Sequence, residues 1–134
     1  MNVLVINGHP RADSLSTAFT QAYAEGARQS GIEPEVLTVA NLHFDINVTT
    51  RHNHEQEVEP DISRSRQLIS WANHIVFIYP TWWGTIPALL KGFFDRVLVA
   101  GFAFEETEGG TGYEPLLRGR TAELITTMDT PKLV

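Results

Sequence analysis

Asn7-Gly8-His9-Pro10-Arg11-Ala12-Asp13-Ser14-Leu15-Ser16 gathers the residue types that hold an anion. The apolar run Val3-Leu4-Val5-Ile6 in front of it reads as a short buried strand. Thr17-Ala18-Phe19-Thr20-Gln21-Ala22-Tyr23-Ala24 behind it reads as a helix. A strand therefore ends in a polar loop, and the loop opens a helix. Free N–H groups at a helix N-terminus, joined by small hydroxyls and a histidine, suit a phosphate. The stretch is not G-x-G-x-x-G and carries no G-K-[ST], which excludes a dinucleotide fingerprint and a P-loop. The chemistry implied is a different phosphate-bearing ligand.

A second stretch has the same form. Ile75-Val76-Phe77-Ile78-Tyr79 is a buried strand, Pro80-Thr81-Trp82-Trp83-Gly84-Thr85-Ile86-Pro87 a loop, and Ala88 onward a helix. Pro87 stands where a proline is tolerated, because a first-turn N–H has no helical partner. Two adjacent indoles on a loop need a surface to cover, and a flat aromatic ligand is such a surface.

The elements that must position these loops alternate. Strands are expected at residues 3–7, 35–39, 75–79 and 121–127, and helices at residues 16–29, 62–72 and 87–99. Gly31 is expected to cap the first helix and Asp61 to cap the second at its N-terminus. Residues 41–60 read as a polar, His-rich excursion and residues 101–119 as a long loop rich in Gly and acids. Such alternation implies α/β architecture, with a parallel sheet, helices on both faces and right-handed crossovers. Ligands bind these sheets at the carboxyl ends of the strands, where both singled-out loops lie.

A chain of 134 residues fits one domain over residues 1–134. A net charge of −6 argues against nucleic acid or an acidic membrane surface as the main partner. With no cysteine, redox function must come from a bound cofactor. No apolar run approaches the ~18 residues of a membrane span and no signal-like segment opens the chain, so a soluble cytoplasmic protein is expected.

The chain resembles the flavodoxin-like NAD(P)H:quinone oxidoreductases, a family that also includes potassium-efflux ancillary proteins and modulators of drug activity. The matching pieces are Gly8-His9 with Ser14-Leu15-Ser16, then Pro80-Thr81-Trp82-Trp83, then Ile86-Pro87-Ala88-Leu89-Leu90-Lys91-Gly92-Phe93-Phe94-Asp95-Arg96-Val97. The resemblance implies a doubly wound flavodoxin-like sheet of order 2-1-3-4-5, and the last strand and helix of that pattern are absent from this chain. A fourth strand left bare would be an aggregation liability. It implies FMN or FAD as cofactor, NAD(P)H as co-substrate, and two-electron reduction of a quinone or similar electrophile. The cofactor-binding residues carried over are His9, Ser14, Leu15, Ser16, Pro80, Thr81, Trp82, Trp83 and Thr127. Thr126 and Thr127 match a Thr-Thr pair that relatives follow with two glycines, whereas Met128-Asp129 follows here. No catalytic side chain is assigned. A homodimer is implied, with Phe104 reaching towards the partner's flavin pocket. The alternative function is an ancillary or regulatory subunit of a cation-efflux system. A one-electron carrier ranks below both, because the loop carries His9 and Arg11 rather than a run of hydroxyls.

Each residue also has a plainer reading. Ser14 or Ser16 can serve simply as the helix cap, and Trp83 can pack in the core. Arg11 reads as a solvated loop charge, and Asp13 would point away from an anion. His52 and His54 with Glu55 and Glu57 resemble a ligand cluster but read as solvated loop, so no metal site is expected. Lys91 and Asp95 form an i,i+4 surface pair, and Gly92 permits close packing. Phe102 and Phe104 are read as exposed aromatics needing cover, the alternative being that they tuck under their own loop.

Overall fold

The computed structural model describes residues 1–50 and 56–129. Its elements are β1 (Val3–Asn7), α1 (Leu15–Gln29), β2 (Glu35–Thr38), a 3-10 turn over Val39–Asn41, α2 (Pro60–Trp71), β3 (His74–Pro80), α3 (Ala88–Val97), β4 (Phe104–Glu106), β5 (Tyr113–Pro115) and β6 (Thr121–Thr127). β2, β1, β3 and β6 lie side by side in that order, all parallel. This is the flavodoxin-like order for its first four positions, with β6 as the fourth strand.

β1 runs between β2 and β3, so Val5 faces Val36 on one side and Val76 on the other. Alternation along the strand sends Leu4 and Ile6 to one face and Val3 and Val5 to the other. The first face packs against Ile62, Leu68 and Ile69 of α2 and Leu90, Phe93 and Val97 of α3. The second lies with Val76 and Ile78 beneath Tyr23 of α1. Covering on both faces explains why the strand is apolar throughout rather than alternating. β6 lies at the outer edge of the sheet, with Leu124 exposed. His74 Nδ1 bonds Thr121 Oγ1 at 2.7 Å, and the Tyr23 hydroxyl donates to Glu123 at 3.0 Å, tying α1, β3 and β6 together.

α1 starts where Ser14, in extended conformation, accepts the Thr17 N–H. It ends in a Schellman motif: Ile32 N–H reaches Ala27 O and Gly31 N–H reaches Arg28 O, both at 2.9 Å. Gly31 takes the left-handed conformation there, φ +80°, one residue beyond the C-cap Ser30.

The expected Asp61 cap is corrected. α2 begins at Pro60 with Glu59 at the cap position, so Asp61 stands inside the first turn and not before it. The Asp61 carboxylate instead accepts the His43 N–H at 2.6 Å. At the other end of α2, Arg120 donates to the carbonyls of Ile69 and Ser70 at 3.1 and 2.8 Å, closing the helix terminus.

Residues 101–119 are not simply a loop. β4 and β5 form an antiparallel pair across which Phe104 meets Tyr113 edge-on, with ring centroids 5.2 Å apart. Their three-residue, glutamate-rich strands carry little β signal, and the aromatic diagonal holds them.

The polar excursion after β2 is held to α3. Arg96, only 5% exposed, donates to both carboxylate oxygens of Glu59 at 3.1 and 2.7 Å, to Glu57 O at 2.9 Å and to Asp45 O. Glu59 also accepts the Asp45 N–H at 2.9 Å. Burial alone would raise the Glu59 carboxyl, but these hydrogen bonds outweigh it and hold its pKa below the ordinary value. Gly92 lets the excursion close in: a Cβ there would meet the Ile46 Cβ at 2.6 Å.

Candidate functional site

Parallel strands bring their carboxyl ends to one edge of the sheet. The segments leaving β1, β3 and β6 gather there. Gly8 begins the first, its N–H on Ile78 O at 2.8 Å. A Cβ on Gly8 would lie 2.6 Å from Leu90 Cδ2, so any larger residue there requires the Leu90 side chain of α3 to shift.

His9 follows, only 6% exposed. Its N–H donates to Asn7 Oδ1 at 3.1 Å, and its Nδ1 accepts the Arg11 N–H at 2.9 Å. That acceptance puts the ring proton on Nε2, as assigned from the bonding. Burial first, and then the neighbouring Arg11 charge, lower the His9 pKa below its ordinary value. At pH 7 it is a neutral donor. Its ring meets the Trp82 ring edge-on at a centroid distance of 5.4 Å.

Both serines find distinct places. Ser14 is the cap, accepting the Thr17 N–H at 3.2 Å. Ser16 is buried, and its hydroxyl has no hydrogen-bond partner among the described residues. The N–H groups of Leu15 and Ser16 also take no partner among the described residues. The opening of α1 thus holds uncommitted donors next to an orphaned hydroxyl, and the His9 Nε2–H, in the loop before it, takes no hydrogen-bond partner among the described residues. Arg11 and Asp13 are exposed, and the Leu15 side chain points to solvent.

The segment after β3 is a tight reversal. Trp82 and Thr85 exchange N–H to carbonyl bonds of 2.9 and 3.1 Å. Trp83 (φ +52°) and Gly84 (φ +75°) both lie at positive φ, as a type I′ turn requires. This geometry throws Trp83 clear of the protein at 102% relative exposure, so the core-packing alternative does not hold. Trp82 is half exposed.

Thr81 anchors this turn to β6. Its N–H donates to Thr127 O at 2.6 Å, and its hydroxyl lies 2.5 Å from that of Thr126. Pro80 pairs with Thr127 at the end of the ladder. A cleft of about 530 Å³ lies between Thr81, Trp82, Trp83, Gly84, Met128 and Asp129. A second, of about 690 Å³, lies on the other flank of the turn, bounded by Thr85, Ile86, Pro87, Ala88 and Lys91. A further hollow of about 400 Å³ beside Met1, Val3, Tyr23 and His74 sits at the opposite, amino end of the strands.

Of the residues singled out from the sequence, His9 and Trp82 meet directly, Thr81 and Thr127 are bonded, and Ser14, Leu15 and Ser16 share the first turn of α1. Phe102 and Phe104 are corrected: both are partly covered by their own chain. Phe104 rests on Tyr113, and Phe102 packs against the core below the Arg66 guanidinium, 5.9 Å away. The hairpin supplies that cover, pinned by the Leu116 N–H on Ala103 O at 2.9 Å. Among the described residues no three potential ligands cluster for a metal. His52, His54 and Glu55 lie outside the described residues. No helix among the described residues is long and apolar enough to cross a membrane.

Sequence reasoning passed over Asn7 and Thr17. Asn7, buried at 1% exposure, donates to Thr17 Oγ1 at 3.0 Å, and Thr17 Oγ1 donates to Ala12 O at 2.5 Å. The available signal was an amide closing an otherwise apolar strand.

The family described by its flavodoxin-like fold matches residues 1–133. An uncharacterized NAD(P)H oxidoreductase of Haemophilus influenzae is 32% identical over 132 residues, covering 94% of this chain and 64% of the relative. The chain thus spans less than two thirds of the length of that curated relative. The crystal structure of Smu.1420 from Streptococcus mutans superposes with a TM-score of 0.83 at 31% identity, covering 98% of this chain and 70% of the other. An NAD(P)H:quinone oxidoreductase from Methanothermobacter marburgensis gives 0.81 at 26% identity, covering 98% and 68%.

Proposed function

Since the chain belongs to the flavodoxin-like family, among whose similar members are NAD(P)H oxidoreductases and a quinone oxidoreductase, we propose that it binds FMN and reduces quinone-type acceptors with NAD(P)H. One observation carries this reading: His9, in the loop that leads from β1 into the donor-bearing first turn of α1, touches Trp82 of the tryptophan turn. A phosphate subsite beside an aromatic wall, at the point where the chain leaves β1 and β3, matches a ligand with a phosphate at one end and a flat ring at the other. The uncommitted N–H groups of Leu15 and Ser16 and the orphaned Ser16 hydroxyl fit a phosphate, which accepts hydrogen bonds.

In this reading Leu15 and Ser16 hold the phosphate with backbone N–H groups, and neutral His9 adds a donor from Nε2. Trp82 and Trp83 bound the ring and keep water from its face, and Thr81, braced by Thr126 and Thr127, fixes the turn. Bound flavin supplies two-electron chemistry between the nicotinamide and the acceptor, while the protein supplies position and electrostatics. The test is an FMN titration with riboflavin as control, followed by menadione reduction with NADH and with NADPH. Failure to bind FMN, with no turnover, overturns the reading. The resemblance also supports a homodimer, which sedimentation at micromolar concentration tests.

Trp83→Ala follows directly. An indole this exposed contributes little to the unliganded fold, so apo stability changes by no more than about 0.5 kcal/mol. FMN affinity or the KM for NAD(P)H worsens several-fold, because the ring loses an aromatic neighbour. A large drop in apo melting temperature would return Trp83 to a structural role.

A further inference from the structure

We infer, on the flavin reading above, that Asn7 and Thr17 are positioning residues that hold the anion loop in its binding form before any ligand arrives. Asn7 is the last residue of β1 and, unlike Val3 to Ile6, is polar; it is nonetheless buried. A buried amide has to satisfy both ends. Its Oδ1 takes the His9 N–H at 3.1 Å, at the start of the loop. Its Nδ2 donates to Thr17 Oγ1 at 3.0 Å, in the first turn of α1.

The Thr17 hydroxyl carries the connection onward. It donates to Ala12 O at 2.5 Å in the middle of the loop and lies 3.2 Å from Ser14 Oγ, which accepts the Thr17 N–H. The start, middle and end of the loop therefore meet at one pair of side chains. While that pair holds, the Leu15 and Ser16 N–H groups stay uncommitted and His9 keeps its place against Trp82. Binding then orders nothing new in the loop. Without the pair, the ligand must bear the loop's conformational entropy, and affinity falls although no direct contact is lost.

Thr17→Val tests this. Valine keeps the shape and the backbone N–H, so Ser14 still caps α1, but Ala12 O and Asn7 Nδ2 lose their partner. FMN binding is expected to weaken about tenfold, about 1.4 kcal/mol. Riboflavin, which lacks the phosphate, is expected to bind as it does to the wild type. Thr17→Ser restores the hydroxyl and FMN affinity. In the apo protein, amide exchange over residues 9–14 rises at least about tenfold in Thr17→Val while β1 and β3 stay protected. FMN affinity within about twofold of wild type, or equal loss of FMN and riboflavin with a lower melting temperature, overturns the inference. Equal wild-type affinity for FMN and riboflavin overturns the phosphate reading itself, and this inference with it.

Discussion

Replacing Arg96 with methionine is expected to destabilise the protein by about 3 kcal/mol and lower its melting temperature by roughly 10 °C. Arg96 is buried, and the Glu59 side chain it pairs with is about one quarter exposed. Removing the guanidinium leaves the Glu59 carboxylate without its counter-ion and strips Asp45 O and Glu57 O of a donor. Breaking a buried pair from one side is costly because the surviving charge cannot regain its water. Partial exposure of Glu59 keeps the estimate at the lower end of that class. Replacing both residues with methionine is expected to cost less, since no unpaired charge is left, although Asp45 O and Glu57 O still lose their donor and the Asp45 N–H its acceptor.

The pH dependence separates loss of the ion pair from loss of packing by the Arg96 side chain. Glu59 is held below its ordinary value in the fold, so its contribution is present above pH of about 4.5 and is lost as pH falls through the lowered value. In Arg96→Met the Arg96 hydrogen bonds and charge that help lower the value are gone while the Asp45 N–H bond remains, so less stability is lost on acidification. Thermal melts of both proteins from pH 7 to pH 4 measure this. Parallel curves would show that Arg96 acts by packing alone.

Ser14→Asp is expected to weaken FMN binding at least tenfold, about 1.4 kcal/mol, with riboflavin affinity and apo stability unchanged. Aspartate caps a helix as well as serine does, so the Thr17 N–H remains satisfied. Its carboxylate, however, stands one residue from the uncommitted N–H groups of Leu15 and Ser16. It uses the positive end of α1 for itself and repels a phosphate dianion arriving there. Calorimetric titration with both ligands reads the difference. Unchanged FMN affinity would remove this loop from the site.

The strands and the donor loop were legible because their signals are local. Val3–Asn7 and Thr121–Thr127 fall where the apolar or β-branched runs begin and end, and a run of four apolar residues closed by a polar loop has few other readings. Ser14 as cap and Gly31 beyond the C-cap follow from the backbone each residue type tolerates, which depends on neighbours in sequence. The alternation of elements then left a parallel sheet with its loops at the carboxyl ends, and hence the location proposed for the site.

What depended on distant partners was not legible. Arg96 and Glu59 are 37 positions apart, and nothing near either announces the other. Asp61 has the type of an N-cap, but its carboxylate goes to His43, 18 positions away, after the fold brings the excursion alongside. Phe104 looked uncovered until the hairpin set Tyr113 on it. The same holds inside the site. The sequence placed His9 and Trp82 on separate loops, and only the pairing of β1 with β3 brings their rings to 5.4 Å. Residue type and period determine which backbone a segment can adopt, so they specify the elements and the donors those elements expose. Contacts between segments depend on how the elements pack, and packing is settled by the whole core at once.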